Sequence, residues 1–228
     1  MDVLCVQETR WRSDCRLFGA IGKSYKLFLM GNEAKTDGVG IFVAEKWADS
    51  VVRVERHSER ILVLKMVLGN RLLNVFSVYA PHSGRPDGEK ECFWNEVFHL
   101  VSCIPQNEMV VFAGDMNGHV GNSNAGYDGT HGGFGYGSRN DDGSRISEFA
   151  DGLNLVICNT LFTKQEAKLV TYVAGFKATK RRRRKFEPRV RVWKLKEEKT
   201  CEKFGCMVGD KVEEQQSPFN GPCPGLPR

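Results

Sequence analysis

Three apolar runs in this chain each give way to a polar residue of a kind that handles metals or phosphates. Val3 to Val6 leads through Gln7 to Glu8. Leu72 to Ala80 carries Tyr79 near its end. Met109 to Ala113 leads through Gly114 to Asp115, with Asn117 two positions further on. Strand ends in layered α/β folds are where binding sites gather. A carboxylate there, Glu8, can hold a hard cation such as Mg²⁺, which takes oxygen ligands in an octahedral shell. Asp115 and Asn117 have the chemistry to handle a nucleophilic water and a phosphate oxygen. The ordinary alternative is that Asp and Asn after a strand cap a loop through their own backbone. Spacing alone leaves both readings open.

These residues need elements to position them. Val3–Val6 reads as a buried strand, Tyr25–Met30 as a second, and Gly38–Ala44 as a third, with Asp37-Gly38 as a turn signal. The β-branched and aromatic runs Arg60–Leu68 and Leu72–Ala80 flank Gly69-Asn70, which predicts a hairpin. After Pro86 and Asp87, residues Phe93, Val97, Leu100, Val101 and Ile104 recur at helical steps, and Pro105 stops the pattern. Met109–Ala113 reads as a buried strand. The stretch 117–143 is rich in Gly, Asn and Asp and reads as loop. Ile146, Phe149, Ala150 and Leu153 predict a second helix capped by Ser144. Leu155–Cys158 and Leu169–Val173 complete the expected strands. Hairpins and amphipathic helices in this order predict a layered α/β or α+β fold around mixed sheets. The Gly-rich stretch Gly132-Gly133-Phe134-Gly135-Tyr136-Gly137 matches neither a P-loop nor a dinucleotide fingerprint.

Charge divides the chain in two. Residues 1–175 hold 18 Lys and Arg against 21 Asp and Glu, a net of −3, whereas residues 176–228 hold 15 against 7, a net of +8. The two parts need separate arguments. The second opens on a run of six cations, Lys180, Arg181, Arg182, Arg183, Arg184 and Lys185. Such a block can contact nucleic-acid phosphates without reading sequence, or act as a nuclear import signal. The segment Arg189–Lys196 alternates basic and apolar residues, and a Gly- and Pro-rich end follows. We therefore expect a flexible basic tail over 176–228.

With 41% hydrophobic residues, the chain has material for a core, and wholesale disorder is not expected. No apolar run is long enough for a membrane span, and the opening residues lack the pattern of a secretory signal. The expected compartment is the nucleus or cytoplasm, with no membrane partner. The eight cysteines, at 5, 15, 92, 103, 158, 201, 206 and 223, are too scattered for a disulfide framework and match no zinc-site spacing. Cys5, Cys103 and Cys158 lie in or beside apolar runs, where a buried thiol is expected.

Motif order adds a family resemblance. Val6-Gln7-Glu8-Thr9-Arg10-Trp11, then Asn74-Val75 through Tyr79-Ala80-Pro81, then Gly114-Asp115-Met116-Asn117-Gly118-His119-Val120-Gly121 together resemble the endonuclease/exonuclease/phosphatase superfamily. The stretch from Gly132 to Asn140, with Arg145-Ile146 through Asn159-Thr160, is similar to the apurinic/apyrimidinic-like endonuclease region of non-LTR retrotransposons. The resemblance implies a four-layer α/β sandwich and phosphodiester hydrolysis dependent on Mg²⁺, with Mn²⁺ as a possible substitute and DNA as the substrate class. By motif match, Glu8 would ligate the metal and Asp115 would orient or deprotonate the attacking water. Asn117 would hold a phosphoryl oxygen, and Tyr79 would contact the phosphate.

The resemblance also implies what this chain lacks. Family members carry an earlier strand with an Asn near the metal, a late Asp in an Ile-Asp-Tyr-type strand and a final motif with a catalytic His. None has a counterpart here. The expectation is a partial domain over 1–175 that lacks its first and late strands, with an incomplete catalytic set and weak or lost activity. The alternative is a non-catalytic remnant that binds nucleic acid or protein. Of the five histidines, His82, His119 and His131 lie in polar stretches, and no spacing brings one to the candidate site. A missing strand would leave an open sheet edge and invite self-association.

Overall fold

The computed structural model describes residues 2–165, apart from Ser13, Ile21 and Gly22. The basic run 180–185, the expected strand Leu169–Val173 and the whole stretch 176–228 lie outside the described residues. No described helix is long and apolar enough to cross a membrane.

The described chain is an α/β sandwich built on two sheets. One has the order β1-β4-β3-β2, from Val3–Gln7, Val39–Ala44, Lys23–Met30 and Asp14–Ala20, all antiparallel. The other has the order β5-β6-β7-β8, from Val51–Ser58, Ile61–Leu68, Arg71–Tyr79 and Met109–Asp115. The Gly69-Asn70 turn makes the expected antiparallel hairpin of β6 and β7. Helix α1, Asp87–Ser102, then carries the chain across so that β8 runs parallel to β7, as a crossover connection permits. Helix α2 is Asp141–Gly152.

Alternation along β6 and β7 explains the layering, since successive side chains face opposite ways. Leu62, Leu64, Met66 and Val75 face the first sheet and meet Phe28, Val39, Ile41 and Val43. Ile61, Val63, Phe76, Val78 and Ala80 face the helices and meet Phe93 and Val97 of α1 and Phe149 of α2. The described layers thus run sheet, sheet, helices. Phe112 of β8 stacks on Phe76 at 4.6 Å and meets the edge of Phe149 at 5.2 Å, seating α2 on the sheet.

Several expectations change. Strand β1 is only half-buried, because it ends its sheet and pairs with β4 alone among the described strands. Helix α2 begins four residues earlier than expected. Its cap is Asn140, whose side-chain oxygen accepts the Gly143 N–H at 2.8 Å, while Ser144 already lies inside the helix. Leu155–Cys158 forms no strand. Ile157 makes one parallel bridge to His131, and the chain then turns through a 3₁₀ segment, Cys158–Thr160. The Thr160 hydroxyl donates back to the Ile157 carbonyl at 2.7 Å, a local bond that competes with extended pairing. Strands β2 and β5 had no clear sequence signal. Among the thiols, Cys5 packs against the inter-sheet core, where burial pushes its pKa up to about 12. Cys103 and Cys158 are exposed instead, since each falls just beyond the apolar face that precedes it.

Candidate functional site

The two sheets bring three strand ends together. β1 lies across from β7 and β8, and the Gln7 side chain donates to the Ser77 hydroxyl at 3.4 Å, while Ser77 donates to the Gly40 carbonyl at 3.1 Å. One residue past β1, Glu8 reaches Tyr79 at the end of β7. The Tyr79 hydroxyl donates to Glu8 Oε1 at 3.1 Å. In the parallel ladder Tyr79 is the register partner of Asp115, the last residue of β8. Ala80 N–H then donates to the Asp115 carbonyl at 2.9 Å. Asn117 folds back over this edge: its N–H donates to Asp115 Oδ1 at 3.0 Å and its side-chain amide donates to the Ala80 carbonyl at 2.6 Å. The four residues picked out by type and spacing therefore occupy one edge, but only Glu8–Tyr79 and Asp115–Asn117 are bonded directly.

The backbone at this edge is strained where chemistry is expected. Glu8, Arg10 and Asn117 have φ of 52°, 53° and 48°, a left-handed region that costs an L-residue energy and that Asn tolerates better than Glu or Arg. Such conformations persist only where the surroundings fix them. Thr9 and Arg10 N–H groups donate to the carbonyls of Gly38 and Asp37 at 3.1 and 2.9 Å, and Gly38 N–H donates to the Glu59 carbonyl. Gly38 itself has φ +111°, and a Cβ there would come within 2.5 Å of the Thr9 hydroxyl oxygen, so only glycine lets the loop close on the Glu8 turn.

An arginine that carried no sequence motif ties this together. Arg60 is 8% exposed. Its guanidinium donates to the Tyr79 carbonyl at 3.2 Å, to Asp37 at 3.3 Å and to Glu89 of α1 at 2.9 Å, and lies 5.2 Å from the centre of the Tyr79 ring. One planar fork thus joins the loop that holds Glu8, the strand that carries Tyr79 and the first turn of α1. The sequence offered only an Arg beside a strand and an Asp-Gly turn. Their partnership depends on folding across 23 positions.

Electrostatics sort the roles. Burial, followed by the bond to Glu8 and its charge, pushes the Tyr79 hydroxyl up to about 12. Tyr79 is thus a hydrogen-bond donor at neutral pH and not a base. A donor held at that edge suits a phosphate oxygen. The Glu8 side chain is 53% exposed, and its second oxygen lies 3.7 Å from Arg10. No histidine hydrogen-bonds to Glu8, Tyr79, Asp115 or Asn117: His82 accepts the Gly84 N–H, His131 is buried and accepts the Gly133 N–H, and His119 packs edge-on to Tyr136.

Among the described residues, no group of three or more His, Cys, Asp or Glu side chains is placed to hold a metal ion. The donor set fits only the sparse mode in which Mg²⁺ takes one or two carboxylates and completes its shell with water and substrate oxygens. Glu8 is the accessible carboxylate for that mode.

Fold and edge together define a two-sheet α/β sandwich with a polar cluster at the ends of β1, β7 and β8. No family model matches the chain. The chain is similar to craniofacial development protein 2 of Bos taurus, at 26% identity over 176 residues, which is 76% of this chain and 29% of that protein. Its similarity to craniofacial development protein 2 of Tragulus javanicus is also 26% over 176 residues, covering 30% of that protein. The chain thus spans less than a third of the relatives it matches.

Proposed function

We propose that this chain is a phosphodiester-binding domain of the endonuclease/exonuclease/phosphatase type, of retrotransposon origin, whose Mg²⁺-dependent hydrolysis of DNA is weak or lost. The observation that carries this reading is the Tyr79–Glu8 hydrogen bond, with Asp115 in register beside Tyr79. A hydroxyl donor, an accessible carboxylate and a second carboxylate at one strand-end edge support the reading. Glu8 would hold the cation, and the cation when bound would neutralise charge on non-bridging phosphate oxygens. Tyr79 would donate to the phosphate. Asp115 would orient the water, with its position fixed by the Asn117 N–H.

Weakness follows from how these groups are engaged. Arg10 and Tyr79 share the Glu8 carboxylate, and the Asn117 amide is committed to the Ala80 carbonyl. No histidine stands by to protonate a leaving oxygen. The second reading, non-catalytic binding of nucleic acid, rests on the same engagements.

Nicking of supercoiled plasmid and of abasic duplex in Mg²⁺, with Glu8→Ala and Asp115→Ala beside the parent chain, tests both. The expected result is slow nicking that each variant lowers by about a hundredfold, the usual cost of removing a group that stabilises transition-state charge. Nicking undiminished in both variants would remove the hydrolytic reading. No nicking, with retained oligonucleotide binding, would leave the binding one.

A further inference from the structure

Beyond the strand-end edge, the chain that leaves Glu8 runs into a shallow cleft of about 300 Å³ lined by Trp11, Arg12, Arg16 and Lys35. We infer that this cleft binds a stretch of single-stranded nucleic acid, with a base against Trp11 and backbone phosphates on Arg12, Arg16 and Lys35. The inference rests on the phosphodiester reading above and names the strand that the edge would act upon.

The lining residues suit a base and phosphates. Trp11 is large, apolar and 42% exposed, and the Arg16 guanidinium lies 4.9 Å from its ring centre. Every nucleobase has a π-face, so an exposed indole flanked by cations is the combination that holds single strands without sequence preference. A peptide carrying phosphates would use the cations but give the indole nothing comparable.

The cleft is built on fixed backbone and is not a chance grouping of side chains. The Trp11 backbone sits directly on Gly31. A Cβ at that glycine would fall 1.8 Å from the Trp11 carbonyl oxygen, so the approach of the two segments depends on a missing side chain. Arg56, from the other sheet, donates to the Leu29 carbonyl at 2.9 Å and to the Asp14 carbonyl at 3.4 Å, which fixes the start of β2 and with it Arg16. Asp14 in turn accepts the Cys15 N–H and the Arg16 side chain at 2.7 and 2.8 Å. Lys35 is held by a turn in which its N–H donates to the Asn32 carbonyl at 3.2 Å.

The arginines can exchange their present partners for a ligand. Arg12 pairs with Glu33 at 2.6 Å and Arg16 with Asp14 at 2.8 Å, and the two arginine side chains are 63% and 53% exposed. Ion pairs so exposed contribute little to stability. A phosphate chain offers several anions at once and releases its own counterions on binding. Trp11 lies three residues from Glu8, within roughly 10 Å even for extended chain, so one strand can reach both.

The test is anisotropy of a fluorescein-labelled 12-mer oligothymidylate, titrated with the full chain in EDTA. Lys180, Arg181, Arg182, Arg183, Arg184 and Lys185 are changed to Gln throughout, so that the run of six cations does not contribute. Trp11→Ala is expected to weaken binding about tenfold and Trp11→Phe less than threefold, following the cost of removing a stacked base partner. Arg12→Gln with Arg16→Gln is expected to flatten the dependence of log Kd on log salt by about 1.4, near 0.7 for each phosphate that is no longer neutralised. Lys46→Gln, an exposed lysine of the 3₁₀ segment Glu45–Ser50 that pairs with Asp2, serves as the control and is expected to leave Kd within twofold. Trp11→Ala within twofold of the parent would overturn the proposal. So would equal binding of a phosphorylated acidic peptide with the same indifference to Trp11. Because the titration contains no divalent cation, it reads binding at the cleft without the hydrolytic step. A failed hydrolase and a failed cleft therefore give different results.

Discussion

Strands β6 and β2 belong to the same sandwich but are held by different forces. Ile61, Leu62 and Leu64 of β6 are fully buried and Val63 nearly so, because one face meets the first sheet and the other meets the helices. In β2, Leu17 is 81% exposed, and Asp14, Cys15 and Arg16 are also exposed. The β2 backbone nonetheless pairs with β3 through seven register positions. Burial specifies the first strand, whereas among the described residues the second is retained by its ladder and by the Arg56 bond to the Asp14 carbonyl. The lesson is that the fold's free energy sits in the middle of the sandwich, while its polar surfaces are carried on strands that cost little to change. The candidate edge lies between these extremes, at the ends of strands whose middles are core.

Removing one large side chain from the core and one from β2 separates the two forces most widely. Phe76→Ala is expected to destabilise the fold by about 3–5 kcal/mol, since its ring packs between α1, α2 and Phe112. Leu17→Ala is expected to stay within about 0.5 kcal/mol, as exposed positions do. Urea unfolding of both variants decides it. Similar losses would mean that β2 is covered by something the described residues do not show.

A smaller effect probes the boundary between core and edge. Arg60→Met keeps an apolar stem of similar length but leaves Asp37, only 12% exposed at its side chain, without its cation. Removing one partner of a buried pair costs more than the pair is worth, because the remaining charge is stranded. We expect about 2–3 kcal/mol, reduced from the fully buried case because Glu89 is 33% exposed and can find water. Loosening of the Glu8 turn should accompany it, read as faster amide exchange at Thr9 and Arg10. A stability loss with unchanged exchange there would show that Arg60 supports α1 without positioning the edge.

The same contrast explains what the sequence could reveal. β6, β7 and β8 were legible because burial on one or both faces writes itself as apolar runs, and α1 because Phe93 and Val97 recur at helical spacing. β2 and β5 were not. The first mixes charge, Gly and exposed side chains, and the second, with exposed Val52, Arg53, Arg56 and His57, reads as polar surface. Glu8, Tyr79, Asp115 and Asn117 could be proposed because each follows an apolar run. The bonds among them could not, since 71 positions separate Glu8 from Tyr79. Arg60 was invisible for the same reason, its meaning residing in partners from three other segments. The Asn140 cap was missed because Ser144, a stronger-looking signal, lies one turn further along, and only the loop geometry before α2 decides between them.

The smallest expected effect concerns the edge alone and has a definite sign. The Tyr79 hydroxyl titrates near 12 in the folded chain, against about 10 for an unfolded tyrosine. Between those values the native state retains a proton that the unfolded state has released, so stability falls as pH rises from about 10 to about 12. Below pH 10 the contribution is fully present. Tyr79→Phe removes the titration together with the hydrogen bond to Glu8, at a cost of about 1 kcal/mol near neutral pH. The difference in unfolding midpoint between parent and variant should therefore be largest at pH 8 and shrink toward pH 11. Cys5, which is pushed up to about 12, is unchanged in the variant and cancels in that difference. A gap that stays constant with pH would mean that the Tyr79 hydroxyl faces water as freely as in the unfolded chain. The strand-end edge would then behave like the exposed surface of β2 and not as an extension of the core.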